Sequence, residues 1–478
     1  MDSHPKLTVN GPNEKRVTTL HVQPVAPSPS SILTSSDPTL WDTQFADSAR
    51  QWTTATKVAI SVVAIVSFFV ITLANSIYIA GIPGVRAEFQ IGTTLAISPV
   101  ALYAMGFAVG PLLSSALSEK FGRKWAIKCS LLLHLIFTIV GAIAPNFRTL
   151  AVARALSGIL GSPLVTIFVG VLNDLWKMPE DHLAVPVFLL YGLGGISAPT
   201  VGPVIGQAVV ENGGWRWTFW LIAILVGLCF LAAIPIEETY EPVVRRKASN
   251  IPGRDWQNVV GRAFLRPLHM LWVERIIWPT TSITVAGQVV LFVFYAAFPI
   301  MLDEVYEFTP YETGLAFLAQ LVAGVLAFPV LGFIERKGRA SAKRDPEFIL
   351  DGGKLAGTAM WTSLIIIAWL PRNNVHWVWL VYARYKNEVY RADLGVSVLA
   401  IDVSLRYALS CVFPLFTVQL MDRVGFHWMM SLLAALHLAL SIIPWALQKK
   451  GATLRAQSPY LNRHVSPHED AARTIQSP

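Results

Sequence analysis

The sequence predicts an all-α polytopic membrane protein with 11–12 transmembrane helices, and three observations carry that prediction. Of 478 residues, 54% are hydrophobic and 14% are charged, whereas a soluble domain carries about 25% charged residues. Apolar runs of about 20 residues, the length that crosses a bilayer as a helix, recur along the chain. Lys and Arg gather in alternate connections, as the positive-inside rule requires. The net charge of +8 is therefore read as loop charge at a membrane, and nucleic acid is not expected as a partner. Cys129, Cys229 and Cys411 fall in or beside apolar runs, without metal-site or disulfide-framework spacing.

Residues 1–56 are rich in Ser, Thr and Pro (Pro24, Pro27, Pro29) and read as a disordered cytoplasmic tail. No signal-peptide core opens the chain, so the first span is expected to act as the targeting signal. Lys15, Arg16, Arg50 and Lys57 precede that span and hold the N-terminus inside. Residues 57–236 form the first, six-helix bundle, with spans at 58–80, 95–117, 125–145, 149–173, 183–209 and 216–236. A basic cytoplasmic linker, 237–274, follows with Arg245, Arg246, Lys247, Arg254, Arg262 and Arg266. The second bundle, 275–447, has spans at 276–301, 312–334, 353–370, 394–420 and 424–447, and residues 448–478 form a basic cytoplasmic tail. The connection 302–311 carries Asp303, Glu304 and Glu307 without Lys or Arg and is placed outside.

Eleven of these spans are convincing, and an odd number would put the C-terminal tail outside. In the region 372–392 the one apolar piece runs from Val375 to Ala383. As a helix it reaches about 13 Å, against a hydrocarbon core of about 30 Å. Arg384, Lys386 and Arg391 follow it and resist burial. Two readings stay open: a re-entrant or interfacial piece, or a tenth span that is incomplete in this chain.

The stretch from Ser115 to Lys124 closes one apolar run and opens another, and reads as a charged hairpin at the inner membrane surface. Its core, Glu119-Lys120-Phe121-Gly122-Arg123, returns in the second half as Glu335-Arg336-Lys337-Gly338-Arg339. The shared pattern is acid, base, any residue, Gly, Arg, and its recurrence suggests duplication. Glu119, Gly122, Arg123, Lys124, Glu335 and Arg339 are the candidate conformational latch; the plainer reading is that the cations only enforce topology.

Leu117-Ser-Glu-Lys-Phe-Gly122-Arg123-Lys124, Arg154-Ala-Leu-Ser-Gly158 and Gly202-Pro203-Val-Ile-Gly206 resemble, in this order, motifs of the major facilitator superfamily. The match is closer to its fungal drug:proton antiporters with twelve spans. Trp215-Arg216-Trp217, Glu238-Thr239-Tyr240-Glu-Pro242, His376-Trp377 and Phe413-Pro414-Leu-Phe-Thr417 extend the resemblance over residues 55–460. Ser115 and Gln207 stand where that family usually has Gly, and its tenth span is longer than residues 372–392 allow. The resemblance implies two pseudo-symmetric bundles, a role for Arg154 in proton coupling, and an antiporter motif at Gly202, Pro203 and Gly206. For Arg154, snorkelling to the outer headgroups is the competing reading.

Asp402 and Arg406 lie four apart on one helix face, where they can pair or carry a proton. Asn75, His134, Gln288 and Gln320 are polar positions inside spans, and Tyr295 sits among Phe292, Phe294 and Phe298. These are substrate-cavity candidates, set against ordinary interhelical hydrogen bonding and packing. No catalytic constellation, metal cluster, cofactor motif or phosphate-binding loop is present, so neither an enzyme nor ATP-driven transport is expected. The reading is proton-coupled efflux of small apolar or cationic compounds (drugs, polyamines or fungal secondary metabolites) by alternating access. Its partners are the lipid bilayer, a small-molecule substrate and protons, for a monomer in the plasma membrane. The alternatives are an uptake symporter of the same fold and a transport-defective paralogue acting as a membrane sensor.

Overall fold

The computed structural model describes residues 49–177, 181–248, 277–306 and 402–456, with isolated positions between 269 and 274 and between 309 and 368. Glu335, Arg339, Gln320, the region 372–392 and the side chain of Glu119 lie outside the described residues.

The helices are α1 (Thr54–Ser76), α2 (Ile82–Phe89), α3 (Thr93–Phe121), α4 (Arg123–Ala142), α5 (Phe147–Gly161), α6 (Pro163–Leu175), α7 (Ala184–Gly213) and α8 (Arg216–Ala233). They continue as α9 (Glu241–Ala248), α10 (Ile277–Tyr306), α11 (Phe413–Val424), α12 (Phe426–Leu440) and α13 (Ile442–Ala456). Among the described residues, 8 helices are long and apolar enough to cross a membrane, or 9 if the two parts of α7, bent by 44°, make one span. Spacing on the outer faces agrees with that. Val58, Val62 and Val66 on α1, and Ile224, Leu228 and Leu231 on α8, form exposed apolar stripes at helical intervals, which are stable against lipid and costly against water.

Local chemistry sets the helix ends. Thr53 caps α1, its Oγ1 accepting from Thr56 N. Ala49 is already buried and Trp52 packs on the core. Asn146 caps α5, accepting from Thr149 N at 2.9 Å. Pro163 lacks a backbone donor and interrupts the helix between α5 and α6, while Phe147–Leu175 remains one span. The charged hairpin is tighter than expected: α3 runs on through Glu119 and Lys120 to Phe121, and the turn shrinks to Gly122 at φ 85°. Lys and Glu are good helix formers and continue the helix past the apolar stretch. The same physics moves the last turn. Helix α11 passes Asp422 and Arg423, and the break falls at Gly425, also at φ 85°.

Small residues let the first-bundle helices approach. Gly106 and Gly110 of α3 lie on the backbone of α5 at Gly158 and Ile159, and Ser162 Oγ donates to Gly106 O at 3.0 Å. On α7, a methyl at Gly206 would stand 2.6 Å from Ile77 O, and Ser76 Oγ donates to Ala198 O at 3.1 Å. Close backbone approach of this kind, with interhelical hydrogen bonds, is how helices associate in a solvent that offers no hydrophobic drive.

In the second half α10 packs on α11 and α12. Lys354 Nζ reaches Gln448 Oε1, while His427 Nδ1 meets the Ala368 carbonyl. Lys354 and Ala368 therefore lie beside opposite ends of 427–448. Gln419 of the preceding span, Asp402–Val424, lies beside Thr94, at the end of the first bundle opposite Gly122. Lys449 and Lys450 consequently finish on the same face as the Gly122 turn.

Candidate functional site

The turn at Gly122 is the focus of a charge cluster. Arg123, 6% exposed, sets Nε 2.5 Å from Asp174 Oδ2 and donates from Nη2 to Oδ1 at 3.2 Å. The Nε contact is ionic, off the line a hydrogen bond would take. Tyr240 covers the guanidinium at 5.1 Å. Thr239 Oγ1 donates to Asp174 Oδ2 at 3.2 Å. Glu238 serves the helix itself: Oε1 accepts from Arg123 N at 2.8 Å and Oε2 from Lys124 N at 3.3 Å. A carboxylate on the first free amides of α4 meets both unpaired donors and the positive end of the helix dipole. Gly122 is needed twice here. Its φ favours glycine, and a Cβ would run into the Glu238 carboxylate. Lys124 contributes its amide to Glu238, with its side chain half-buried.

Neither Asp174 nor Glu238 was among the residues expected from sequence. Asp174 sits in Leu172-Asn-Asp-Leu175 and looks like an ordinary polar helix end. Glu238 opens the motif Glu238-Thr239-Tyr240-Glu-Pro242, but with no site role attached to it. The signal that could have found them is the order of motifs: both lie at the inner ends of spans that must return to the hairpin.

At the far end of the same bundle, Arg154 is 4% exposed, so snorkelling is not its geometry. Its Nη1 donates to Ala74 O at 2.8 Å, and its guanidinium lies 4.4, 5.1 and 5.5 Å from the rings of Tyr103, Tyr78 and Phe219. Those rings are fixed, because Tyr103 donates to Ile71 O at 2.8 Å and Tyr78 to Ala96 O at 3.0 Å. No carboxylate pairs with Arg154 among the described residues. His134, fully buried, meets Ser157 O through Nδ1 at 2.8 Å and sets its ring edge to Tyr103. Asn75 is buried on α1, beside the carbonyl that holds Arg154. Spans α4 and α5 thus bring His134 and Arg154 together through Ser157 and Tyr103.

The Gly202-Pro203-Gly206 face of α7 lies against the end of α1. Gln207, a departure from the expected glycine, points elsewhere and donates to Glu211 at 3.1 Å. It therefore leaves that contact intact.

The two halves meet along α3 and the span Asp402–Val424. Gln419 Nε2 donates to Thr94 Oγ1 at 2.8 Å. Deeper in, Phe107 and Tyr407 place their ring centroids 4.7 Å apart, with Phe292 of α10 at 6.1 Å from Tyr407. Thr94 to Phe107 is about 20 Å of helix and Tyr407 to Gln419 about 18 Å, at 1.5 Å per residue. The equal lengths describe one antiparallel seam from the far rim to the middle of the molecule. Tyr295 packs into the same apolar cluster as Phe292, 5% exposed. Gln288 is half-buried on α10.

Asp402 is 1% exposed and accepts from Thr284 Oγ1 of α10 at 2.6 Å. Arg406 rests over Tyr407 at 5.5 Å. The expected Asp402–Arg406 ion pair does not form among the described residues; the carboxylate turns to the neighbouring helix instead.

Comparison with known proteins places this geometry. The model of the Major Facilitator Superfamily matches residues 64–385. The chain is 27% identical over 453 residues to a Saccharomyces cerevisiae protein named "Probable drug/proton antiporter YHK8", covering 87% of each chain. It is 27% identical over 452 residues to the Aspergillus fumigatus "Major facilitator superfamily multidrug transporter mdrA", covering 86% of this chain and 73% of that one. Among solved structures, the proton:xylose symporter XylE superposes with a TM-score of 0.60 at 14% identity, over 83% of this chain and 97% of the other. At that identity the likeness speaks to fold alone.

Proposed function

The chain belongs to the Major Facilitator Superfamily, an integral, multi-pass membrane transporter rather than an enzyme, and from that premise we propose proton-coupled export of small apolar or cationic compounds by alternating access. The observation that carries alternating access is the seam between α3 and the span Asp402–Val424. It closes the far side from Thr94 and Gln419 down to Phe107 and Tyr407, while the charge cluster at Gly122 binds the other end of the first bundle within itself. Loop charge assigns the Gly122 face to the cytoplasm, so this state is closed to the outside. Transport requires the seam to open and the cluster around Arg123 to yield in turn.

Export rather than uptake is supported by the Gly202-Pro203-Gly206 face on α1 and by relatives named drug/proton antiporter and multidrug transporter. Arg154 and Asp402 are the proton-coupling residues in this reading, as buried ionisable groups in the two halves. Tyr295, Gln288 and Asn75 would meet substrate when the halves separate, in a monomer at the plasma membrane.

The test combines closure and energetics. With Cys129, Cys229 and Cys411 replaced by serine, the pair Thr94→Cys and Gln419→Cys is joined by a short reducible cross-linker in the intact transporter. The expected result is arrested efflux of a lipophilic cation, restored by reductant. Efflux that continues at full rate through the cross-linked protein would rule out seam opening. In proteoliposomes, dissipating the pH gradient should abolish accumulation of the same cation; indifference to the gradient would rule out proton coupling.

A further inference from the structure

A cavity of ≈ 10 Å³ lies beside Arg154, with Ala74, Tyr78, Thr138, Ser157 and Thr218 in its wall. A cavity needs about 10–15 Å³ of such space and two to four polar partners to hold a water. The wall supplies them with a definite polarity. Arg154 Nε and Nη2 are buried donors that meet no acceptor among the described residues. Across from them, each hydroxyl has already committed its proton to its own helix. Thr138 donates to His134 O at 2.7 Å, Ser157 to Arg154 O at 3.1 Å and Thr218 to Trp215 O at 2.6 Å. Each of those oxygens keeps a lone pair that can accept. Donors on one side and acceptors on the others suit a molecule that both accepts and donates.

We propose that this cavity is a binding site for one structural water, which accepts from Arg154 and donates to the hydroxyls of Thr218 and of Thr138 or Ser157. An anion would satisfy Arg154 but face lone pairs on every other polar wall, and the space is that of a single water. The water links α5 to α4 and α8. It completes the hydrogen bonding of a buried guanidinium with no carboxylate partner among the described residues, whose donors would otherwise be orphaned at considerable cost.

The test is a structure of the full-length protein in lipid, at a resolution that shows buried waters elsewhere in the first bundle. The expected result is one spherical density within hydrogen-bond distance of Arg154 and Thr218. In Thr218→Val that density should be lost and the melting midpoint lowered by about 2 °C, whereas Thr218→Ser should keep both near the parent values. An empty cavity beside visible buried waters elsewhere would overturn the proposal. So would an anomalous peak in the cavity after bromide exchange, or density unchanged in Thr218→Val.

Discussion

Two buried arginines, one at each end of the first bundle, are stabilised in opposite ways. Arg123 is neutralised: Asp174 takes its charge, Tyr240 covers it, and Glu238 caps the helix that carries it. Arg154 has no carboxylate partner among the described residues and is held by a carbonyl and three aromatic faces. The first arrangement is a set of partners gathered at one end of the bundle, where each group can be exchanged for another. The second is a fixed cage in which the charge is dispersed over aromatic faces and a carbonyl. Under the proposed function, the first environment would serve a switch and the second a sensor.

Breaking the first partnership should have the largest effect. Asp174→Ala leaves Arg123 buried and unpaired, at a cost of about 3–5 kcal/mol, read as a lowered unfolding midpoint and loss of transport. Asp174→Asn keeps an acceptor and should lose less. If Asp174→Ala unfolds like the parent, the neutralised half of the comparison is wrong.

Lysine substitution sharpens the contrast at intermediate size. Arg154→Lys gives up planar contact with Tyr78, Tyr103 and Phe219, worth about 2 kcal/mol when desolvated. Arg123→Lys can keep a point-charge pair with Asp174 and should cost about half as much. Thermal unfolding of the two variants side by side reads the order, and the reverse order would refute the distinction.

The smallest effect is expected at the cap. Glu238→Gln keeps the shape but removes the charge from the α4 N-terminus, a loss of about 1 kcal/mol. High salt should narrow the gap between parent and variant, because this site lies near solvent; a gap independent of salt would argue for a purely geometric role.

Much of this architecture was legible in the residues. Apolar run length located α1, α4, α7, α8 and α10 to within a few positions, because lipid demands continuous helix. The ends were less legible, since Lys120, Asp422 and Arg423 are polar yet helix-forming, and only Gly122 and Gly425 stop their helices. Glycine spacing on α7 pointed to close packing, while Gly106 and Gly110 of α3 went unread among many small residues. The partners of the charged groups were legible least. Asp174 reaches Arg123 across 51 positions and Glu238 reaches it across 115, and no local pattern encodes contacts at that range. Asp402 shows the opposite failure. Its neighbour at helical spacing was the obvious partner, but burial favoured the hydroxyl of Thr284 across the interface.

The position of Glu238 in the chain has a consequence for how the molecule is made. Helix α4 enters the membrane soon after Gly122 is synthesised, yet the carboxylate that caps it arrives only after α8. Until then the first amides of α4 and the cations of the turn face cytosolic water without their partner. The closing of this cluster therefore follows the synthesis of α8, since Glu238 reaches back to Arg123 across 115 positions.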